Sequence, residues 1–136
     1  MISFNYETDF KLTNEVDISK WISDSIITEN YKEGEINFVF CNDDYLHKLN
    51  VEFLDHDTFT DIISFDYTVG KQLHGDIFIS VDRVKENAEK FEVDFDVEIQ
   101  RVIIHGILHY CGYKDKDEAD QKEMRQKENF YLKCLN

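Results

Sequence analysis

His105 and His109 stand four residues apart in the segment His105-Gly106-Ile107-Leu108-His109-Tyr110-Cys111-Gly112-Tyr113-Lys114-Asp115. On a helix that spacing stacks two imidazoles on one face, where both can reach a single metal ion. Two ligands do not hold an ion against water, so a third must come back to the same point. Gly112 supplies the means, since glycine readily takes the left-handed conformation that ends a helix and turns the chain. Asp115 follows three residues later and is the expected third ligand, with Asp117 as its rival two residues on. A lone H-x-x-x-H pair is weak evidence, because histidines on apolar faces are more often satisfied core residues than ligands. The glycine and the carboxylate at these offsets make the pattern more specific.

The offsets 0, 4, 7 and 10 are those of the zinc-protease pattern H-E-x-x-H-x-x-G-x-x-H, with Gly106 in place of the glutamate and Asp115 in place of the last histidine. The spacing by itself therefore admits a zinc peptidase, and the missing glutamate counts against one. Glu98 and Arg101 precede His105 by seven and four residues, so both lean toward the histidine face of the same helix. Their simplest reading is an ion pair on a solvated edge.

The elements that must position these residues follow from periodicity and punctuation. Ile2 to Tyr6 alternates as a first strand, and Asn14 is placed to cap a helix through Trp21, Ile22, Ile26 and Ile27 that ends before Gly34. Ile36 to Cys41 is rich in strand formers, and Asn42 then caps a short helix carrying Tyr45, Leu46 and Leu49. Asp55 to Thr58 reads as a loop feeding a strand from Asp61 to Phe65, and Val69-Gly70-Lys71 turns the chain into a strand from Asp76 to Ser80. Three helices are predicted to follow, over Val81 to Phe91, Asp96 to Cys111 and Asp117 to Leu135. The middle one carries the histidines among Val97, Ile103, Ile104, Ile107 and Leu108, which makes it a central, largely buried helix. Four strands and about five helices in this order predict an α+β fold with a mixed four-stranded sheet and a zincin-like metal site on a central helix.

A chain of 136 residues with 42% hydrophobic side chains and no proline fits one domain, residues 1 to 136, with a core of its own. The first residues lack a basic start and an apolar stretch, and no run is long enough to span a membrane, so a cytoplasmic protein without membrane attachment is expected. Cys41, Cys111 and Cys134 are an odd count without a C-x-x-C spacing, which disfavours a disulfide framework. Cys111 lies two positions past His109 and should point into the core. The net charge of -14 argues against nonspecific binding to nucleic acid. That deficit lies upstream of residue 114, because residues 114 to 136 carry six basic and six acidic side chains. A polyanion should approach from the metal-site end.

The segment from His105 to Asp115 resembles the H-G-x-L-H-L-x-G-Y-D-H signature of the YbeY-type endoribonucleases, which mature ribosomal RNA in bacteria. Leu49-Asn50, Thr60-Asp61-Ile62-Ile63-Ser64-Phe65 and Gly75-Asp76-Ile77-Phe78-Ile79-Ser80 are similar to that family's L-N, T-D-V-L-S-F and G-D-I-x-I-S elements, in the same order. Glu98 also falls where the family has a glutamate. The resemblance implies a single-strand-specific, zinc-dependent endoribonuclease with one zinc ion. It would act on single-stranded ribosomal RNA in 16S 3′-end maturation and ribosome quality control, alongside the small subunit and assembly proteins. Two departures stand out. Asp115 replaces the third family histidine, which lowers the net charge of the loaded site from about +2 to about +1 and weakens its Lewis acidity. Leu54 replaces the family's usual arginine, and Arg101 is the expected substitute as a phosphate contact. With Gly106 in place of the zincin glutamate, Asp115, Asp61, Glu98 and bulk water remain as candidates for the general base. A non-catalytic assembly factor with structural zinc, whose acidic surface meets a basic ribosomal protein or a GTPase, is the alternative.

Overall fold

The computed structural model describes residues 1–55 and 60–135. Among them the chain forms strands β1 (Ile2–Tyr6), β2 (Lys32–Cys41), β3 (Ile62–Asp66) and β4 (Gln72–Ser80). Helices α1 (Glu15–Thr28), α2 (Asp43–Leu54), α3 (Val81–Lys90), α4 (Phe95–Tyr110) and α5 (Glu118–Leu135) complete the α+β arrangement. Part of the expected loop, His56 to Thr58, lies outside the described residues.

The sheet order is β1-β2-β4-β3. β1, β2 and β4 run parallel, and β3 joins β4 as an antiparallel edge. Parallel neighbours need a crossover and antiparallel neighbours only a turn, so α1 bridges β1 to β2 while a short turn at Gly70 joins β3 to β4. β2 and β4 begin four residues earlier than their apolar runs suggest. Lys32 pairs with Gln72 and Glu33 with Leu73, so backbone pairing carries polar residues into the strands.

Alternation in the strands separates two faces. Ile36, Phe38, Phe40, Ile77 and Ile79 turn inward to a core shared with Ile18, Trp21, Ile22 and Ile26 of α1, with Ile103, Ile104 and Ile107 of α4, and with Met124 and Tyr131 of α5. The opposite face is covered by α2, where Leu46 and Leu49 meet Cys41, Ile63, Phe65 and Phe78. Burial of each large apolar side chain contributes about 1.5–3 kcal/mol, so the central position of α4 is set by its isoleucines.

Side-chain caps start α2, α3 and α5, but not α1 or α4. The Asn42 side chain accepts from the Tyr45 backbone N–H at 2.8 Å, as expected. Asn14 precedes α1, but its side chain makes no capping hydrogen bond; its carbonyl accepts from Ile18 N–H at 3.0 Å instead. Asp117 caps α5 by accepting from the Asp120 N–H at 2.8 Å. All three cysteines are free, and Cys111 is buried in the core beside α1 and α5, where burial pushes its thiol up to about 12.

Candidate metal centre

α4 ends in a Schellman turn. Gly112 has φ +98°, its N–H bonds to the His109 carbonyl at 3.0 Å, and the Tyr113 N–H reaches back to Leu108 at 3.1 Å. A residue with a Cβ resists that conformation, so glycine here is what reverses the chain. The reversal does two things. It lays the Tyr113 carbonyl 3.0 Å from His109 Nδ1, and it brings Asp115 Oδ2 to 3.3 Å from His105 Nε2 and 3.4 Å from His109 Nε2. Asp117, committed to capping α5, is not in the cluster formed by His105, His109 and Asp115.

The hydrogen bonds on the far side of each ring decide the tautomers. Glu128 of α5 is 4% exposed, and its Oε2 lies 2.6 Å from His105 Nδ1. The Tyr113 carbonyl can only accept, so His109 donates from Nδ1. With both Nδ1 atoms donating, both neutral rings present Nε2 lone pairs to each other at 2.9 Å, with a carboxylate oxygen beside them. Two facing acceptors need a shared cation or proton between them. Zinc bonds of about 2.0–2.1 Å in a tetrahedral site hold ligand atoms about 3.3 Å apart, which matches the two carboxylate–imidazole separations of 3.3 and 3.4 Å, while the two Nε2 atoms lie closer, at 2.9 Å. The donor set therefore fits one divalent ion, and the arrangement of imidazole Nδ1–H groups on a carboxylate and a backbone carbonyl is the usual support for metal-binding histidines.

The electrostatics agree. Burial opposes a charge on His105, but the hydrogen bond and charge of Glu128, with Asp115 and Asp61, outweigh it and raise the imidazole above its ordinary value. Burial likewise pushes the Glu128 carboxyl up, yet the bonds to His105 and Arg101 outweigh it and hold Glu128 below the usual glutamate range. The site stabilises positive charge at the point where the two Nε2 atoms meet.

The other residues singled out from the sequence lie in three places. Asp61, just before β3, is half-buried and within the field of His105; burial raises its carboxyl. Glu98 and Arg101 are paired as expected, at 3.9 Å, but in the interior rather than on a solvated edge. Arg101 is 19% exposed and spends its guanidinium on Glu128 at 3.1 Å and Asn129 at 2.9 Å, so it braces the carboxylate behind His105. Leu54 is the last residue of α2 and is exposed.

Glu128 was not selected from the sequence, although a signal exists. Met124, Glu128, Tyr131 and Leu132 form the buried stripe of α5, and a glutamate in an apolar stripe marks a carboxylate with an interior partner. Gly106 has a meaning other than a lost base. A Cβ built there lies 3.1 Å from the Cδ1 atoms of both Ile62 and Ile77, so position 106 faces the sheet. A glutamate at that position would be driven against β3 and β4.

Fold and cluster together define an α+β protein whose central buried helix carries a candidate metal centre at its C-terminal end. The chain belongs to the endoribonuclease YbeY family, whose model matches residues 3–136. It is 61% identical over 129 residues to the endoribonuclease YbeY of Flavobacterium johnsoniae, covering 95% of this chain and 93% of that protein. Over 136 residues it is 56% identical to the endoribonuclease YbeY of Flavobacterium psychrophilum, covering 100% and 97%. The solution structure of TM1509 from Thermotoga maritima shares the fold with TM-score 0.74 at 27% identity, over 99% of this chain and 89% of that one.

Proposed function

We propose that this protein is a zinc-dependent, single-strand-specific endoribonuclease that acts in 16S ribosomal RNA 3′-end maturation and ribosome quality control. Its partners in this reading are single-stranded ribosomal RNA, the small subunit and assembly proteins, in the cytoplasm. Family membership supports RNA cleavage. The observation that carries the metal dependence is the convergence of His105 Nε2, His109 Nε2 and Asp115 Oδ2 within 4.8 Å of one another.

The cluster has three ligands among the described residues, and Asp115 is 44% exposed at a cleft also lined by His105. Three protein ligands with an open side are the pattern of catalytic rather than structural zinc, which favours an enzyme over a non-catalytic assembly factor. When bound, zinc lowers the pKa of a coordinated water to about 7 and supplies positive charge to a phosphodiester oxygen. The chain's own residues do the remainder. Glu128 and the Tyr113 carbonyl hold the two imidazoles in the tautomer that leaves Nε2 free. Asp61, outside the ligand set yet close enough to feel His105, is the proposed proton carrier. Glu98 supports Arg101 and through it Glu128. The peptidase reading loses further ground because position 106 faces the sheet.

Elemental analysis and an RNA cleavage assay test the proposal together. The purified protein should carry about one zinc and cut single-stranded RNA while sparing duplex, and His105→Ala or His109→Ala should lose both metal and cleavage. Undiminished cleavage by metal-free protein or by either variant would overturn it.

A further inference from the structure

A nuclease must hold the phosphates flanking the one it attacks, and in a chain of net charge -14 few cations are free to do so. The sequence contains three arginines. Arg83 is bound to Asp43 at 2.8 Å and Glu86 at 3.3 Å. Arg101 is enclosed by Glu128 and Asn129. Arg125 differs from both: its side chain is 59% exposed, and it approaches Glu128 only at 3.7 Å, beyond hydrogen-bond distance.

Arg125 also stands in the right place. A cleft of about 560 Å³ opens on the metal cluster and is lined by His105 and Asp115 on one side and by Lys122, Arg125 and Glu118 of α5 on the other. Lys122 and Arg125 are three residues apart, so they share a face of α5. Glu128 at the back of the cleft already answers to His105 and Arg101, and Asp115 to the two imidazoles. With those two carboxylates engaged, Lys122 and Arg125 are the two cationic side chains lining the cleft among the described residues, and they are the groups a phosphate entering it would meet.

We infer that Lys122 and Arg125 form a phosphate-binding edge of the cleft, Arg125 gripping a backbone phosphate of single-stranded RNA next to the one held at the metal cluster. The guanidinium offers a planar fork that matches two phosphate oxygens, and Lys122 adds a point charge one turn away. This role rests on the endoribonuclease reading above and adds the part of the site that binds the strand.

Steady-state cleavage of a short single-stranded RNA by the zinc-loaded protein, followed across a salt series, tests it. Arg125→Ala should raise KM about tenfold with kcat and zinc content within twofold of wild type, and Lys122→Ala should act in the same direction less strongly. Arg125→Lys should recover part of the loss. The dependence of log(1/KM) on log salt should become shallower by about 0.7 in Arg125→Ala, the value for one phosphate contact on a single strand. Lys20→Ala on α1 removes the same charge away from the cleft and should leave KM unchanged. An unaltered KM in Arg125→Ala, an equal effect of Lys20→Ala, or loss of zinc from Arg125→Ala each overturns the inference while wild-type cleavage leaves the nuclease reading standing. If wild-type protein with full zinc neither binds nor cuts single-stranded RNA, the nuclease reading fails and this inference with it.

Discussion

Glu128 is the residue whose replacement separates a metal-binding arrangement of the histidines from a merely packed one. Its Oε2 lies 2.6 Å from His105 Nδ1, and its Oε1 lies 3.1 Å from the Arg101 guanidinium. It is 4% exposed and held in its ionised form by those two partners. A hydrogen bond to a charged group contributes about 1.5–3 kcal/mol, and at about 1.4 kcal/mol per decade that is roughly a 10- to 150-fold effect. Loss of a comparable support costs known metal sites about 10–100-fold in affinity. Glu128→Gln keeps an acceptor for Nδ1–H and removes the charge, so zinc affinity should fall about tenfold. Glu128→Ala leaves the imidazole N–H unpaired and Arg101 without its carboxylate, so the loss should approach a hundredfold. Competition against a chromophoric chelator at neutral pH measures the affinities, and far-UV circular dichroism shows whether each variant is folded. Wild-type zinc affinity in a folded Glu128→Gln and a folded Glu128→Ala would refute the argument that Glu128 sets the His105 tautomer for metal.

Asp115→Ala should lower zinc affinity with little effect on metal-free stability, whereas Asp117→Ala should leave zinc affinity intact and cost about 1 kcal/mol in urea unfolding through the lost α5 cap. Gly106→Ala should be destabilising by at most about 2 kcal/mol, because crowding of Ile62 and Ile77 costs about 1–3 kcal/mol and the gain in helix propensity returns about 1. Gly106→Glu, which drives a carboxylate against the sheet, should cost at least about 3 kcal/mol and confer no peptide cleavage; a stable Gly106→Glu protein would contradict the packing. Glu29, the C-cap of α1, accepts hydrogen bonds from Tyr131, from Tyr113 at 2.7 Å and from Lys127 at 3.3 Å. Burial raises its carboxyl, but these donors outweigh that and hold it below the usual glutamate range. Its contribution to stability is therefore complete above its unfolded pKa and drains away as pH falls through the lower folded value. Urea titrations from pH 6 downward should show a smaller acid-side loss in Glu29→Gln than in wild type, and identical slopes would count against the network.

Much of the site was legible because it is local. The spacing of His105, His109, Gly112 and Asp115 spans one helix end and one turn, and backbone geometry carries Asp115 back to the two imidazoles. The same locality makes the cap at Asn42 and the turn at Gly70 readable from residue type, whereas Asp117, read as a helical residue and a rival ligand, proves to cap α5. Strand alternation and the isoleucines of α4 announced a central helix on a mixed sheet, since periodicity reports which face is buried.

What tertiary structure decided are the contacts between elements distant in the chain. Glu128 meets His105 across 23 residues and Glu29 meets Tyr113 across 84, and no local pattern names such partners. Arg101 faces the histidine side as helical phase requires, but the packing of α5 against α4 commits its guanidinium to Glu128 and Asn129. Arg125, unremarkable in sequence, is left exposed at the cleft by that same packing. At Gly106 the sequence shows only a missing base, whereas packing against Ile62 and Ile77 of the sheet leaves the position no room for one. The order of residues along the chain was enough to put His105 and His109 on one face of a helix and to offer Asp115, with Asp117 as its rival, as the carboxylate that returns to them, because those follow from the pitch of one helix and the conformational freedom of one glycine. Which charges are spent in the interior and which remain for substrate depended on how two helices and a sheet fill the space around that helix, and close packing is a property of the whole fold.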